Sequence, residues 1–335
     1  MSALAVAAPV QAEVRPGVWT FLYADKESLT GTYVPENQDG AKGSVTKYAD
    51  GRYRVELDGV GAPGVPMVTA VGGNGVHCQL ASFGSNGLMY VDCYAGTARK
   101  NSKFMLTFFS PPADSPANSA YGFAFSGPQA TSFPGGTSIS TDASSGVSTV
   151  QFTRAGFTNG GNVQVTAVGR SPARCSVMSW VQTTSGVTAQ VKCKNLFGQS
   201  PVPPQWTLVY ARERSIIGGD TEHFGYLQAD RPDWSSPDPY PPDPNRNRGP
   251  NGYTHVVRRP VPNVGTYQVR VHGALAEAFT LHVSVNGDTA GFCVPTGWNF
   301  NLADPEWPGT VDVACFDGAG APANQVFTLN YYSPS

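Results

Sequence analysis

The chain has 335 residues, with 22 basic and 24 acidic side chains and a net charge of −2 at pH 7. No basic stripe is visible, which argues against nucleic acid as a partner, and no apolar window approaches the roughly 18 residues of a membrane-spanning helix. Its 38 Gly and 28 Pro favour short strands joined by turns over long helices.

Residues 1–12, "MSALAVAAPVQA", are the first segment with a recognisable pattern. Small apolar residues end in Val10-Gln11-Ala12, an A-x-A-like site typical of secretory signal peptides. Two interpretations stay open, a signal-peptide remnant without its basic region or a disordered tail. The first predicts a secreted, extracellular protein.

Three copies of one unit follow. From Gly59, Gly156 and Gly273, a cysteine follows after 19, 19 and 20 residues. The first two copies share "VTAVG", and the copies end in the aromatic-led runs "FMLTFF", "WTLVY" and "FTLNY". Copies of about 100 residues are too long for solenoid repeats and can each carry a core. The sequence therefore predicts three tandem domains, at 13–112, 113–214 and 215–335.

Inside each copy the hydrophobic period is two. Val76, Cys78 and Leu80 share one face of a predicted strand, while His77 and Gln79 take the other. Such alternation marks half-buried strands. Six or more short strands per copy predict an all-β chain of three antiparallel β-sandwich domains, Ig-like or jelly-roll-like.

The six cysteines fall as two per copy. Cys78 and Cys93 flank the turn "GSNG", which would place them opposite each other on paired strands. The in-copy spacings of 15, 18 and 22 do not match the cysteine pairs of structural zinc sites. One cross-strand disulfide per copy is expected, which indicates an oxidising compartment. The predicted bridges are Cys78–Cys93, Cys175–Cys193 and Cys293–Cys315.

The shared "VTAVG", the paired cysteines and the closing aromatic runs resemble tandem β-domain repeats of secreted actinobacterial-type proteins whose function is uncharacterised. The resemblance covers nearly the whole chain at the level of spacing. It implies export, and it transfers no activity and no functional residues.

No motif predicts catalysis. The nucleophile pentapeptide G-x-S-x-G, a P-loop and a dinucleotide fingerprint are all missing from the sequence. His272 and His282 alternate with polar neighbours, which indicates solvent-facing strand residues. No catalytic residue, metal or cofactor is predicted.

The Pro/Asp-rich stretch Asp230–Gly252 is expected to form a long loop in the third copy. Its carboxylates are ligands that Ca²⁺ takes, but their spacing is not that of a calcium loop. A structural loop, a partner-recognition segment and a cation site stay open. The carboxylates are those of Asp230, Asp233, Asp238 and Asp243.

The third copy lengthens its disulfide hairpin at Pro295–Gly309. Indole rings beside amides and carboxylates suit a sugar-binding surface, because apolar sugar faces stack on rings. Alternatively the tryptophans pack into the sandwich end and the acids are solvated. The candidate ligand-binding residues are Trp298, Asn299, Asn301, Asp304, Glu306 and Trp307. The two acids are also a nominal pair for glycoside hydrolysis.

The sequence thus predicts a secreted, non-catalytic binding or structural and assembly protein, with glycans or cell surfaces as candidate ligands. The partner expected is a polysaccharide or another extracellular protein. The alternative is an extracellular hydrolase or hydrolase inhibitor that lacks a recognisable motif.

Overall fold

Strands account for nearly all regular structure in the computed structural model of the chain, and the part described contains no α-helix. The all-β class is therefore confirmed. The described residues are 18–28, 30–37, 43–58, 60, 64–84, 86–110, 121–127, 132–133, 137–153, 160–183, 185–198, 203–212, 224–260, 262–272, 279–300 and 309–332. None of their helices is long and apolar enough to cross a membrane.

The strands fall into three consecutive groups, here called unit 1, unit 2 and unit 3. Unit 1 contains β1 (Val18–Ala24), β2 (Gly31–Tyr33), β3 (Glu36–Asn37), β4 (Gly43–Ala49), β5 (Arg52–Leu57), β6 (Val65–Val71), β7 (Val76–Phe83), β8 (Leu88–Ala95), β9 (Ala98–Arg99) and β10 (Lys103–Ser110). Unit 2 contains β11 (Tyr121–Phe125), β12 (Ser132–Phe133), β13 (Ser138–Thr141), β14 (Val147–Phe152), β15 (Asn162–Val168), β16 (Ala173–Thr183), β17 (Gly186–Asn195) and β18 (Gln205–Ala211). Unit 3 contains β19 (Phe224–Ala229), β20 (Asn247–Arg248), β21 (Val256–Arg258), β22 (Thr266–Val271), β23 (Thr280–Asn286), β24 (Phe292–Phe300), β25 (Gly309–Phe316) and β26 (Val326–Tyr332), with two short 3₁₀ helices at Pro244–Arg246 and Pro250–Gly252.

Each unit is a sandwich of an inner and an outer sheet. The inner sheet holds its first strand, its last strand and the strand that carries "VTAV" or its equivalent, in the orders β3-β1-β10-β6, β12-β11-β18-β15 and β20-β19-β26-β23. The outer sheet holds the two cysteine strands, in the orders β2-β4-β5-β8-β7, β13-β14-β17-β16 and β21-β22-β25-β24. Separate hydrophobic clusters fill the three sandwiches.

The three predicted disulfides are present and join directly opposed residues of antiparallel strands. The bridges are Cys78–Cys93, Cys175–Cys193 and Cys293–Cys315. No free cysteine remains in the chain. A cross-strand pair is a local contact, and this is why the spacing around each turn was enough to predict it.

The units share sheets, which the repeat pattern did not predict. β15 of unit 2 pairs in parallel with β7 of unit 1, so the unit 2 inner sheet and the unit 1 outer sheet form one ten-stranded sheet. β23 of unit 3 likewise pairs in parallel with β16 of unit 2 in an eight-stranded sheet. The limits of the three domains stay predictions, because these hydrogen-bonded sheets run across them.

A third junction closes the units into a ring with approximate threefold symmetry. At each junction the glycine that ends an inner strand donates its backbone N–H to the carbonyl two residues after a first cysteine. The three bonds run from Gly169 to Leu80 (2.8 Å), from Gly287 to Val177 (2.9 Å) and from Gly72 to Pro295 (2.9 Å). The glycines have φ of 147°, 104° and 124°, a backbone conformation that other residues rarely adopt. This explains the final residue of both "VTAVG" copies.

Hydroxyl groups on the same three inner strands, three residues before each of these glycines, repeat the threefold pattern. Thr166 Oγ1 lies 3.2 Å from Val68 N and 3.3 Å from Val68 O, and Ser284 Oγ lies 3.0 Å and 3.2 Å from the same atoms of Val165. Thr69 Oγ1 accepts the N–H of Val283 at 3.4 Å. Each unit therefore bonds its neighbour through side chains that are buried at the centre of the ring.

An aromatic cluster fills the space between the inner sheets around the ring axis. All three units contribute residues to it, and these residues lie on strands of the inner sheets. Its members include Phe21, Met67, Phe123, Val209, Tyr226 and Tyr332. Since both faces of each inner sheet are covered, all seven residues of β6 and of β15 are buried.

Candidate functional site

Trp298 lies on β24, at the boundary between unit 3 and unit 1. Its indole is partly buried and packs edge-on against Tyr23 of unit 1, with 5.4 Å between ring centroids, and against Phe279 of unit 3, at 4.9 Å. The neighbouring Asn299 is exposed, and its carbonyl accepts the Thr310 hydroxyl at 3.4 Å. The other predicted ligand-binding residues, Asn301, Asp304, Glu306 and Trp307, lie outside the described residues.

Packing at the position of Trp298 repeats around the ring. A β-bulge follows the first cysteine of every unit, between Leu80 and Ser82 in unit 1 and at the same point in the other two. The residue five places after that cysteine is aromatic each time. Phe83 packs on Phe125 of unit 2 at 4.9 Å, and Trp180 lies under the Arg246 guanidinium of unit 3 at 4.5 Å. Trp298 is thus the third copy of a boundary-packing residue.

This packing makes Trp298→Ala a test of stability. Loss of two edge contacts, each worth about 0.5–1.5 kcal/mol beyond area burial, should lower the free energy of unfolding by about 2 kcal/mol. Trp298→Phe is the matched control, because Phe83 fills the equivalent position, and it should lose less than half as much. Denaturant unfolding of the three proteins measures the difference, and an unchanged Trp298→Ala curve would assign the indole to the surface alone.

A groove of about 430 Å³ opens beside Trp298, between units 3 and 1. We call it the boundary groove. Two rings form part of its wall. The rest of the described lining combines valines and glycines with polar groups, which are one carboxylate, one ammonium, amides and hydroxyls. The lining side chains that could contact a ligand through a ring or a polar group include those of Tyr23, Glu27, Asn74, Lys103, Thr296 and Trp298.

Local structure fixes the segments that carry these side chains. The Glu27 carbonyl accepts the Tyr53 hydroxyl at 3.2 Å, and that hydroxyl in turn accepts the Ser102 N–H at 3.0 Å. The turn with Asn74 is held by the ring-closing bond of Gly72. Asn74 is exposed, and the Glu27 and Lys103 side chains are partly exposed. Their polar groups are therefore open to a ligand on a rigid wall.

An equivalent groove lies between units 1 and 2 and differs in chemistry. Its volume is about 300 Å³, and Ala81 and Gly169 stand where the boundary groove has Thr296 and Gly72. Neither an aromatic ring nor a carboxylate occurs among its described lining residues. The chain thus repeats the groove but places stacking rings and an acid in only one of these two copies.

The remaining sequence predictions have mixed outcomes. His282 was expected to face solvent, and this is wrong, because it is 1% exposed and its Nδ1 lies 3.0 Å from Thr69 Oγ1 near the axis. Burial lowers the pKa of His282 to about 3. His272 is partly buried and stacks on the Tyr253 ring at 5.0 Å. Neither histidine joins a metal-ligating cluster within the described residues.

The Pro/Asp-rich stretch is tied into unit 3. Tyr240 is 1% exposed in the unit 3 core and bridges Val257. Asp233 accepts the Asn324 amide at 2.8 Å, and Asp243 caps a 3₁₀ helix by accepting the Asn245 N–H at 2.9 Å. In the described part of the chain these carboxylates form no metal-ligating group. The contacts of Asp233 and Asp243 are those expected of a structural loop, and the partner-recognition and cation-site interpretations stay predictions.

Two polar centres were missed from the sequence. Asp92 is fully buried on the outer sheet of unit 1, with Arg99 at 3.1 Å and Arg52 at 3.4 Å. At the ring axis, Arg174 donates to His77 at 3.3 Å although both side chains are buried. The sequence contains one signal for the second centre. The position before the first cysteine differs in every copy, where it is His77, Arg174 and Phe292 in turn.

The fold and the boundary groove together define a disulfide-bonded all-β protein of three units, with a ring-lined groove between units 3 and 1. Comparison with protein-family models, with curated proteins and with solved structures finds no match to this chain. The three disulfides indicate an oxidising, extracellular environment.

Proposed function

We propose that the protein is a secreted, non-catalytic binding protein that takes an extracellular polysaccharide in the boundary groove. The observation that carries this proposal is the contrast between the two equivalent grooves. The one between units 3 and 1 has the rings of Trp298 and Tyr23 beside Glu27, Lys103 and Asn74, and the described lining of the other has neither ring nor acid. Sugar recognition needs a ring for the apolar face and polar groups for the hydroxyls.

Rigidity supports the binding role. The groove walls come from different units, and the ring-closing hydrogen bond of Gly72 and the Tyr23–Trp298 contact join them. A preformed site loses little conformational entropy when a ligand binds. Because Glu27 is the one carboxylate of the described lining, the groove as described lacks the acid pair that glycoside hydrolysis uses.

The test is an oligosaccharide array probed with the labelled full chain, followed by calorimetry on the best ligand. Glu27→Gln and Asn74→Ala each remove a hydrogen-bonding group and should weaken binding on the order of tenfold. Arg170→Ala is the matched control, since Arg170 is exposed and lines the equivalent groove. Its affinity should equal that of the unaltered chain.

Three results would oppose the proposal. An array without any bound oligosaccharide would remove the ligand class, and unchanged affinity in both groove variants would move the site elsewhere. Release of reducing sugar from a bound polysaccharide would favour the hydrolase alternative over a binding protein.

A further inference from the structure

A second polar site lies on the axis of the ring, outside the boundary groove. The residues that precede the three first cysteines, His77, Arg174 and Phe292, meet there. The Arg174 guanidinium carbon lies 4.1 Å from the centroid of the Phe292 ring, and the His77 and Phe292 rings are 5.6 Å apart. Beside them is a cavity of about 60 Å³, here called the axial cavity, which is lined by all three units.

Arg174 is buried in the wall of this cavity with part of its donor capacity unused. Only 4% of the residue is exposed. Its Nη1 donates to the carbonyl oxygens of Ala290 (3.2 Å), Asp317 (3.2 Å) and Gly318 (3.1 Å), and its Nε donates to His77 Nδ1 (3.3 Å). Nη2 is buried and has no hydrogen-bond partner among the described residues. A guanidinium has five N–H donors, so this side chain is incompletely satisfied.

Among the described residues, the positive charge of Arg174 also has no direct counter-ion. No carboxylate of the described chain forms an ion pair with it. The Asp317 carboxylate acts on Arg174 only through longer-range electrostatics. One of its oxygens accepts the backbone N–H groups of Ala319 and Ala321 at 2.8 and 2.9 Å. Burial lowers the pKa of Arg174 to about 10, so the group stays charged at pH 7. An unpaired buried charge is costly.

His77 lines the same cavity and adds no charge. Burial, and then the charge of Arg174, lower the pKa of His77 to about 3, which a Tyr94 backbone interaction only partly opposes. Since His77 Nδ1 accepts from Arg174, the ring proton lies on Nε2, which makes no hydrogen bond of good geometry. The hydroxyls of Thr166 and Ser284 face the same cavity but already bond to backbone groups.

We infer that the axial cavity binds a small monovalent anion of the size of chloride, with Arg174 Nη2 as its main ligand. The cavity volume is that of about four to six water molecules, at roughly 10–15 Å³ each, so it admits a bare or singly hydrated halide and excludes large organic anions. Such an anion pairs the buried charge and joins the three units at the point where their strands converge. It is independent of the polysaccharide proposed for the boundary groove.

Thermal unfolding of the full chain tests this inference. The melting temperature in sodium chloride should exceed that in sodium gluconate of equal ionic strength by on the order of 2 °C, and the difference should saturate with chloride concentration. Arg174→Met keeps the apolar stem on Phe292 and removes the charge, so the difference should vanish. Arg170→Met, on an exposed arginine, is the matched control and should retain it.

Crystals soaked in sodium bromide give a direct readout that does not depend on a folded variant. An anomalous peak beside Arg174 Nη2 is the expected result. Water alone in the axial cavity of bromide-soaked crystals overturns the inference, and so does a chloride effect that persists undiminished in Arg174→Met. If Arg174→Met does not fold, the bromide peak in the unaltered protein decides.

Discussion

Deletion of residues 215–335 is expected to unfold the rest of the chain, although the repeat pattern suggests that two complete domains would remain. The unit 2 outer sheet would lose β23, its parallel partner. The axial cluster would lose Phe224, Tyr226 and Tyr332, each worth about 1.5–3 kcal/mol when fully buried. Since domains are stable by only about 5–15 kcal/mol, this loss approaches the whole.

Near-UV circular dichroism and calorimetry of the fragment and of the full chain check this expectation. The full chain should melt in one cooperative transition, and the fragment should lack fixed aromatic packing. A circular permutant that begins between β10 and β11 and joins the old ends through a flexible linker is the control. Phe21 and Tyr332 pack at 6.4 Å, so the joined strands are already close, and every described contact is kept. A fragment with a native-like cooperative melt would establish independent domains.

Local features of the fold were accessible from the sequence. The alternation around Cys78 predicts a strand, and the turn between Cys78 and Cys93 sets the register that makes them partners. Both signals depend on residues no more than 22 positions apart, where spacing alone specifies geometry. The all-β class and all three bridges follow from them.

The ring was not accessible in the same way. The parallel junctions rest on single residue pairs, such as Val168 with Leu80, between positions nearly a hundred residues apart. Nothing in the alternation specifies such a pair. The sequence does contain one signal for the ring. The run "VPMVTAV" is almost continuously apolar or small, "NVQVTAV" departs from this only at Asn162 and Gln164, and such strands are buried on both faces. Taking each unit as an isolated sandwich hid their second buried face.

The closed ring also changes where polar residues lie. His282 shares one strand face with Thr280 and Ser284, and in an isolated two-layer sandwich such a polar face lies in solvent. In a closed ring the opposite face of β23 points at the axis, where Thr69 of unit 1 meets His282. Trp298 is a candidate ligand residue by its sequence, but the packing role that it shares with Phe83 and Trp180 depends on contacts across unit boundaries, which spacing within a copy does not specify.

Removal of the disulfides is the other change with a large expected effect. The bridges close loops of 15, 18 and 22 residues, and the chain-entropy model assigns about 3 kcal/mol to each. Replacing one pair by alanines, as in C78A/C93A, should lower the free energy of unfolding by about that amount. The three replacements together should bring the chain close to its unfolding threshold. Because the units share sheets, each double variant should lower the one melting transition rather than release its own unit.

Burial also predicts the order in which a thiol reductant opens the bridges of the folded protein. Both sulfurs of Cys175–Cys193 belong to partly exposed residues, whereas Cys293 and Cys315 are only 4% and 0% exposed. Thiolate attack requires access to a sulfur, so unit 2 should be reduced first and unit 3 last, with Cys78–Cys93 between them. Alkylation of timed samples and peptide mapping measure the order.

Early loss of Cys293–Cys315 would mean that the unit 3 outer sheet opens before the ring does, and a peptide linked between units would contradict the pairing. Addition of denaturant should abolish the order, because it exists only while the sheets cover the sulfurs.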